Sequence, residues 1–502
     1  MTNQSYIINA KKIYSLDSDN HSYQSMLIKN GRIKELSNLP LPYNIEQISH
    51  PDKYIIPGFI DSHTHILGTG MQKIFPEVSG IESLEQLFDI IAAASYLARQ
   101  YKFLLIYNFQ PDKIKEKRYP TQNELDTVIK DYPVLLYRID GHSGVLNTKG
   151  LEEIIAADNK VLENGAELDP YQEPTGVMRG KAYEFTARHF NKKIHPEIRL
   201  QAFIKACQLA IQAGVTTLVT MLGTEVDNIT CELLLENQVK LPIDVIPFYQ
   251  TRDINRIQKL GLPRIGGCIL VDGSYGSHTA ALTEPYADKP DNKGILYLSD
   301  QTLEEFYRAA DANNLQTAVH AIGDRAIEQV VRVFEKFLKD NQKRHRIEHC
   351  ELLSDNLIKR IADLGLIACV QPAFEHYWGG SDKMYAERLG LRWQNTNPFQ
   401  KMIEKGIIIA GGSDAPITPI NPLLGIRTAT DMRNSENSIS LWHALRMFTY
   451  NGAYAVKMEN QIGSLQLGLK ADFVILEHDP LQTANNKIRQ AYKEGTLLLN
   501  NI

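Results

Sequence analysis

The chain has 502 residues, 54 Lys+Arg against 59 Asp+Glu, 43% hydrophobic residues and a formal net charge of -5. That length suits about three domain units or one large barrel with attachments, and ordinary hydrophobic content provides a sizeable core. The mild negative charge excludes a general attraction to nucleic acid or anionic membrane, and 32 Gly with 22 Pro exclude a fibrous or low-complexity chain.

From the N-terminus, MTNQSYIINAKKIYSLDSDN lacks the basic start and unbroken apolar stretch of a signal peptide, and no apolar run is long enough to span a bilayer. Five unevenly spaced cysteines, Cys207, Cys231, Cys268, Cys350 and Cys369, do not form a disulfide framework. A cytoplasmic location is the expectation. The first fifty residues read as short strands, YIINAKKIYSL and SMLIKNGRIKEL, broken by turn signals at SDN and KNG. The tail resumes that style in GSLQLGLKADFVILEHDP and EGTLLLNN.

Between them, short apolar runs alternate with amphipathic helices. FIDSHTH comes first, then TTLVTM, IDVIPFY, GCILVDG, TAVHAIGD, HRIEHCE, IACVQPAF and IIIAGGSDA. The helices include IRLQAFIKACQLAIQAG, LEEFYRAADANNL, AIEQVVRVFEKFLKD and NLIKRIADLG. Repeated strand-helix units argue for a parallel sheet, and eight of them for a (β/α)8 barrel. Two surplus runs, FLLIYNF and VLLYRIDGH, fall between Gly70 and Leu200. They place an inserted subdomain at about residues 70–200, after the first barrel strand, with loop-rich pieces such as DNKVLENGAELDPYQEPTGVMRG. An insertion there lies over the active face and is expected to act as a lid.

The chemistry gathers at strand ends. His63 and His65, two apart in DSHTH, share one face of the first strand, and paired imidazoles suit a divalent metal, zinc first. Alone, an HxH pair is as often two surface histidines. His320 closes QTAVH and His349 closes HRIEH, each just before a loop. Either by itself is an ordinary strand cap. Four histidines at one barrel mouth, out of 14 in the chain, are a different matter. His345 lies about 13 Å earlier along the same strand as His349 and belongs to the barrel bottom. Asp414, after IIIAGGS, reads alone as a helix cap, but facing four histidines it can ligate metal and shuttle a proton. Cys350 follows His349 directly and points the other way, into core.

DSHTH, AVHAIGD, RIEHCEL and GGSDAP, in this order, resemble the amidohydrolase superfamily. PGFIDSHTH, DGHSGVLN, VDGSYGSHTA, VQPAF and the tail GSLQLGLKADFVILEHDP narrow the resemblance to amidohydrolase family 3, with its N-substituted formamide deformylase-like hydrolases. The likeness runs from roughly Tyr6 to Asp479. It implies a distorted (β/α)8 TIM barrel over residues 58–454 and a small β-sandwich built from residues 1–57 and 455–502. It also implies metal ligation by His63, His65, His320, His349 and Asp414, with Asp414 as general base. The implied reaction is hydrolysis of an amide, formamide or cyclic amide/amidine C–N bond of a small molecule by metal-activated water. The cofactor is one or two Zn²⁺ per chain, another divalent transition metal being an alternative. A metal-dependent esterase or a non-catalytic metal-binding homologue are the rival readings.

One position departs from the family pattern. Where relatives commonly carry a metal-bridging carboxylated lysine, four residues before the Asp-Gly that ends strand four, GGCILVDGS has Cys268. A thiolate is a good zinc ligand, so Cys268 joins the candidate ligands, provided the strand sits closer to the metals. The other reading is a buried apolar cysteine beside a single metal. Strand parity would turn Cys268 and Asp272 inward together, with Ile269 and Val271 toward the helices. His142 and His278 match family positions near the substrate and are the substrate-binding candidates, His278 standing where relatives often carry arginine. His376 and Trp378 suit a pocket wall or packing. The expected partner is a small-molecule substrate, without nucleic acid or membrane, and a homodimer is one assembly this reading allows.

Overall fold

The computed structural model describes residues 5–501 except 140, 142, 224–226 and 228, and the backbone only at Asn164. The chain divides into two compact units, one of Met1–Ile66 with Ala206–Ile502 and one of Leu67–Lys205.

In the first unit, eight strands run parallel: β1 (Phe59–Thr64), β2 (Val215–Leu222), β3 (Asp244–Tyr249), β4 (Arg264–Leu270), β5 (Gln316–Ala321), β6 (Arg346–His349), β7 (Ile367–Val370) and β8 (Ile409–Gly411). They pair in two sheets, β3-β2-β1 and β4-β5-β6-β7-β8. No ladder joins the sheets among the described residues, yet β8 and β1 touch where Asp414 N donates to His63 O and His65 N to Ala415 O, both at 2.7 Å. This is a TIM-barrel-like α/β fold. Each strand falls on a run read from the sequence. Their residues are buried almost throughout, as expected for strands covered on both faces. Some of the helices between them start on side-chain caps. Ser299 accepts from Thr302 N before Asp300–Ala312, and Ser354 from Leu357 N before Asp355–Asp363.

The terminal segments form one hydrogen-bonded sheet of seven strands. Its centre pairs Ser5–Tyr14 with Glu46–Pro57 in parallel, and the latter with Phe473–Leu476 antiparallel. Residues 455–472, expected within it, lie outside its strands. Local sequence announces strands but not their partners, and Glu46–Pro57 joins the N- and C-terminal segments directly. Ile8, Ile28, Ile55, Phe473 and Tyr492 pack its core.

The second unit carries a five-stranded sheet and its own apolar core, with Phe103, Leu105, Leu136 and Phe190 buried. Both surplus runs are strands there, Leu104–Phe109 and Val134–Arg138. The segment read as loop-rich holds the hairpin Ala166–Leu168 and Pro174–Arg179. Asp169 closes its turn by accepting from Tyr171 N and Glu173 N, a local bond that a composition reading overlooks. No helix among the described residues is long and apolar enough to cross a membrane.

His345 lies just before β6, buried, as expected away from the strand ends that carry the other histidines. Its Nδ1 accepts from Thr317 N at 3.1 Å and meets Thr317 Oγ1 at 2.8 Å, which holds the ring neutral. Burial pushes its pKa down to about 4 from 6.5, only partly offset by Asp311. Between those values the unfolded chain binds more protons. Stability therefore falls as pH drops from 6.5 to 4, by an amount on the order of 3 kcal/mol. In denaturant titrations across that range, His345→Gln is expected to lose less stability toward acid than the parent. Superimposable acid profiles would refute the assignment.

Candidate metal centre

β1 delivers His63 and His65 to one point. Their Nε2 atoms lie 3.3 and 3.1 Å from Asp414 Oδ1, just past β8. Two features allow strands 1 and 8 to come this close. A Cβ at Gly412 would sit 2.6 Å from His63 N, so only glycine fits there. Asp61, fully buried, accepts from Ser413 N at 2.9 Å and from His63 N at 3.3 Å, clamping both strand ends. Burial raises its carboxyl to about 6 despite those bonds.

Across the site, the His349 ring centroid lies 5.0 Å from His63 and 4.4 Å from His320. Asp414 and His349 adopt left-handed backbone, with φ of 56° and 69°. Strain of this kind in non-glycine residues persists where the surroundings over-determine the geometry, commonly at functional sites. At two histidines Nδ1 meets an acceptor, Glu348 Oε2 at 2.5 Å for His63 and Gln371 Oε1 at 2.7 Å for His349, whereas His320 Nδ1 lies 3.4 Å from Asp272 Oδ1 and makes no hydrogen bond. Such outer partners leave Nε2 as the ligand atom. Asp272 is itself fixed by the backbone N–H groups of Ala281, Ile322 and Gly323.

Cys268 reaches the same cluster, and β4 bends to bring it there. Between Gly266 and Leu270 the strand slips two residues against β5. Gly266 and Gly267 both take positive φ, and a Cβ on Gly267 would strike Met221 and Phe248. The slip corrects the parity expectation: β4 ends at Leu270, which is 46% exposed, so Cys268 and Asp272 do not lie on one continuous alternating strand. Both still reach the cluster. Burial alone would raise the Cys268 thiol, but His349, His63 and His65 outweigh it and hold it well below the ordinary value. Burial likewise opposes charge on His63 and on Asp414. Their contacts prevail, raising the imidazole well above and lowering the carboxyl well below the usual range.

The donor set fits a divalent cation. His63, Cys268 and His349 bring their ligand atoms within 4.8 Å of one another, and so do His63, His65 and Asp414. Nε2 of His63 and of His349 and Oδ1 of Asp414 are buried and make no hydrogen bond, an arrangement that costs free energy unless something binds them. His320 belongs to neither triad but packs on His349. A third grouping, His63 with Glu348 and Cys369, has a different character, because Arg346 occupies both oxygens of Glu348.

Other sequence candidates fall elsewhere. His278 is held by Asp288 at 2.8 Å with its ring 5.0 Å from Tyr286. A loop histidine flanked by serine and threonine gave no hint of that partner. His142 lies outside the described residues. His376 is exposed, whereas Trp378 packs on Phe374, whose ring lies 6.1 Å from His349. Cys350 is buried, as expected. Sequence reasoning missed Arg346, Glu348 and Gln371. The available signal was two charged residues alternating through a four-residue strand that is buried throughout.

A sequence model of the amidohydrolase family matches residues 51–502. YtcJ of Bacillus subtilis (strain 168), an amidohydrolase by name, is 28% identical over 502 aligned residues, covering 93% of either protein. N-substituted formamide deformylase of Arthrobacter pascens is 22% identical across 98% of this chain and 97% of its own length. Among solved structures, an uncharacterized metal-dependent hydrolase from Pyrococcus furiosus aligns with a TM-score of 0.80 at 25% identity, covering 95% of this chain and 100% of its own.

Proposed function

The chain belongs to the amidohydrolase family, the metal-dependent hydrolases, and from that premise we propose that it cleaves a C–N bond of a small molecule. The bond is of amide, formamide or cyclic amide/amidine type. The observation that carries this reading is the convergence of His63, His65, His349, Cys268 and Asp414 at the strand ends, with Nε2 of His63 and of His349 buried and without a hydrogen bond. The likeness to a formamide deformylase supports the bond type.

His63, His65, His349, Cys268 and Asp414 would hold the ion, with His320 beside them. Imidazole and thiolate donors favour zinc. When bound, the ion supplies Lewis acidity and lowers the pKa of a water toward about 7. Once an ion takes the place of the Nε2 proton, His63 and His349, with Nδ1 engaged, would offer the Nε2 lone pair and serve as ligands, not acids. Proton transfer falls to Asp414. Its carboxylate, with Oδ1 turned to the ion, would take a proton from the attacking water at Oδ2 and return it to the departing nitrogen.

Gently purified protein is expected to contain at least one equivalent of transition metal per chain, chiefly zinc, by elemental analysis. Metal-loaded protein should hydrolyse members of a panel of amides, formamides, dipeptides and cyclic ureides faster than matched esters. Clearly less than one equivalent of metal would sink the metal centre, and a preference for esters would sink the C–N assignment.

A further inference from the structure

β6 carries two charged side chains into the interior of the fold. Arg346 and Glu348 are both fully buried. The guanidinium grips the carboxylate with two donors, Nε to Oε1 at 2.5 Å and Nη2 to Oε2 at 2.8 Å. Nη2 also donates to Ser62 O at 2.7 Å, the carbonyl immediately before His63. Glu348 Oε2 then meets His63 Nδ1 at 2.5 Å. β6 and β1 are not neighbours in either sheet, so these contacts span the interior and not a ladder. Phe248 closes the other side, its ring centre 4.8 Å from the guanidinium.

A buried ion pair is a poor way to gain stability, since apolar residues of similar volume are often as good or better. Its geometry serves something else. We propose that Arg346 and Glu348 are positioning residues that hold His63 in the Nδ1–H tautomer and make it the strongest imidazole donor of the metal centre. This rests on the metal-centre reading above. Arg346 places one donor on each carboxylate oxygen, which disfavours Glu348 as a ligand, and anchors the backbone at Ser62. The carboxylate's remaining capacity goes to the His63 N–H, which directs the Nε2 lone pair toward Asp414. The contrast within the site is informative. His349 has a neutral amide oxygen, Gln371, at the same position, and an anionic acceptor makes an imidazole more basic than a neutral one. His345 is held the opposite way round, with Nδ1 accepting from Thr317 N–H. Each ring's partner, and not its residue type, sets which nitrogen is left free.

The test uses the full-length protein. Long-range ¹H–¹⁵N correlation spectra of histidine-labelled, metal-stripped wild type, recorded at a pH high enough to leave His63 neutral, are expected to show it as a single Nδ1–H tautomer, assigned with His63→Gln. The paired variant Arg346→Met with Glu348→Gln removes both charges together and retains an amide acceptor. It should fold with a melting temperature close to wild type in the stripped state. Its affinity for zinc, read by competition with a chromophoric chelator, should fall roughly 10- to 100-fold with unchanged metal count at saturation. An Nε2–H tautomer in the stripped wild type overturns the brace even if the variant fails to fold. Affinity within twofold of wild type reduces the pair to a structural role, and a lower saturating count makes Glu348 a ligand. Wild type that binds no zinc defeats the metal centre itself, and the tautomer measurement separates that failure from this one.

Discussion

Asp414→Asn is expected to lower kcat by about 10³- to 10⁴-fold, the upper range of general acid–base contributions, while part of the metal binding survives. Asparagine is the informative replacement here. Asp414 sits at φ 56°, a conformation Asn adopts readily and most other residues do not, so the backbone need not move. The strand-closing bond from Asp414 N to His63 O is a main-chain contact and is retained. What changes is the side chain: an amide keeps one carbonyl oxygen as a weak ligand but cannot take a proton from water. Steady-state rates on whichever substrate the panel identifies, set beside metal content, separate the two losses. If kcat stays within tenfold of wild type at full metal loading, the proton acceptor is another group. If all metal is lost, Asp414 acts first as a ligand, and the kinetic argument must be made on a reconstituted variant.

Much of this architecture was legible because parallel strands buried on both faces read as unbroken apolar runs, and because reactive side chains gather where such strands end. QTAVH and IIIAGGSDA are cases in which the run and the residue at its end both announce themselves. The strands around Cys268 were harder. Parity arguments assume an unbroken ladder, and Gly266–Gly267 breaks it; the paired glycines were visible, but the slip they permit depends on Met221, Phe248 and Ala318, which belong to other strands. Arg346 and Glu348 were illegible for a related reason. Their meaning lies in Ser62 and His63, almost three hundred residues away and on a strand that is not adjacent. The terminal segments were recognisable as strands but not as one sheet, since the pairing of Glu46–Pro57 with Phe473–Leu476 is a long-range choice.

Cys268→Ser carries the second large effect, because it decides the composition of the metal centre. If the thiolate is a ligand shared between the two triads, the variant should lose one equivalent of metal relative to wild type, a hydroxyl being a far poorer zinc donor. Two observations favour that outcome. His63, the ring common to both triads, shares one with Cys268 and the other with Asp414. The slip in β4 at Gly266 and Gly267 accompanies a Cys268 whose sulfur lies within ligand distance of His63 and His349, which a short thiol needs for that role. A second readout follows from the low thiol pKa. In metal-stripped protein near neutral pH, Cys268 should be the fastest of the five cysteines to react with iodoacetamide, since the other four are buried and the thiolate is the nucleophile. Added zinc should then protect it. A Cys268→Ser protein with wild-type metal content, or alkylation indifferent to zinc, would leave Cys268 as a packing residue. The centre would then be a single ion held by histidines and Asp414.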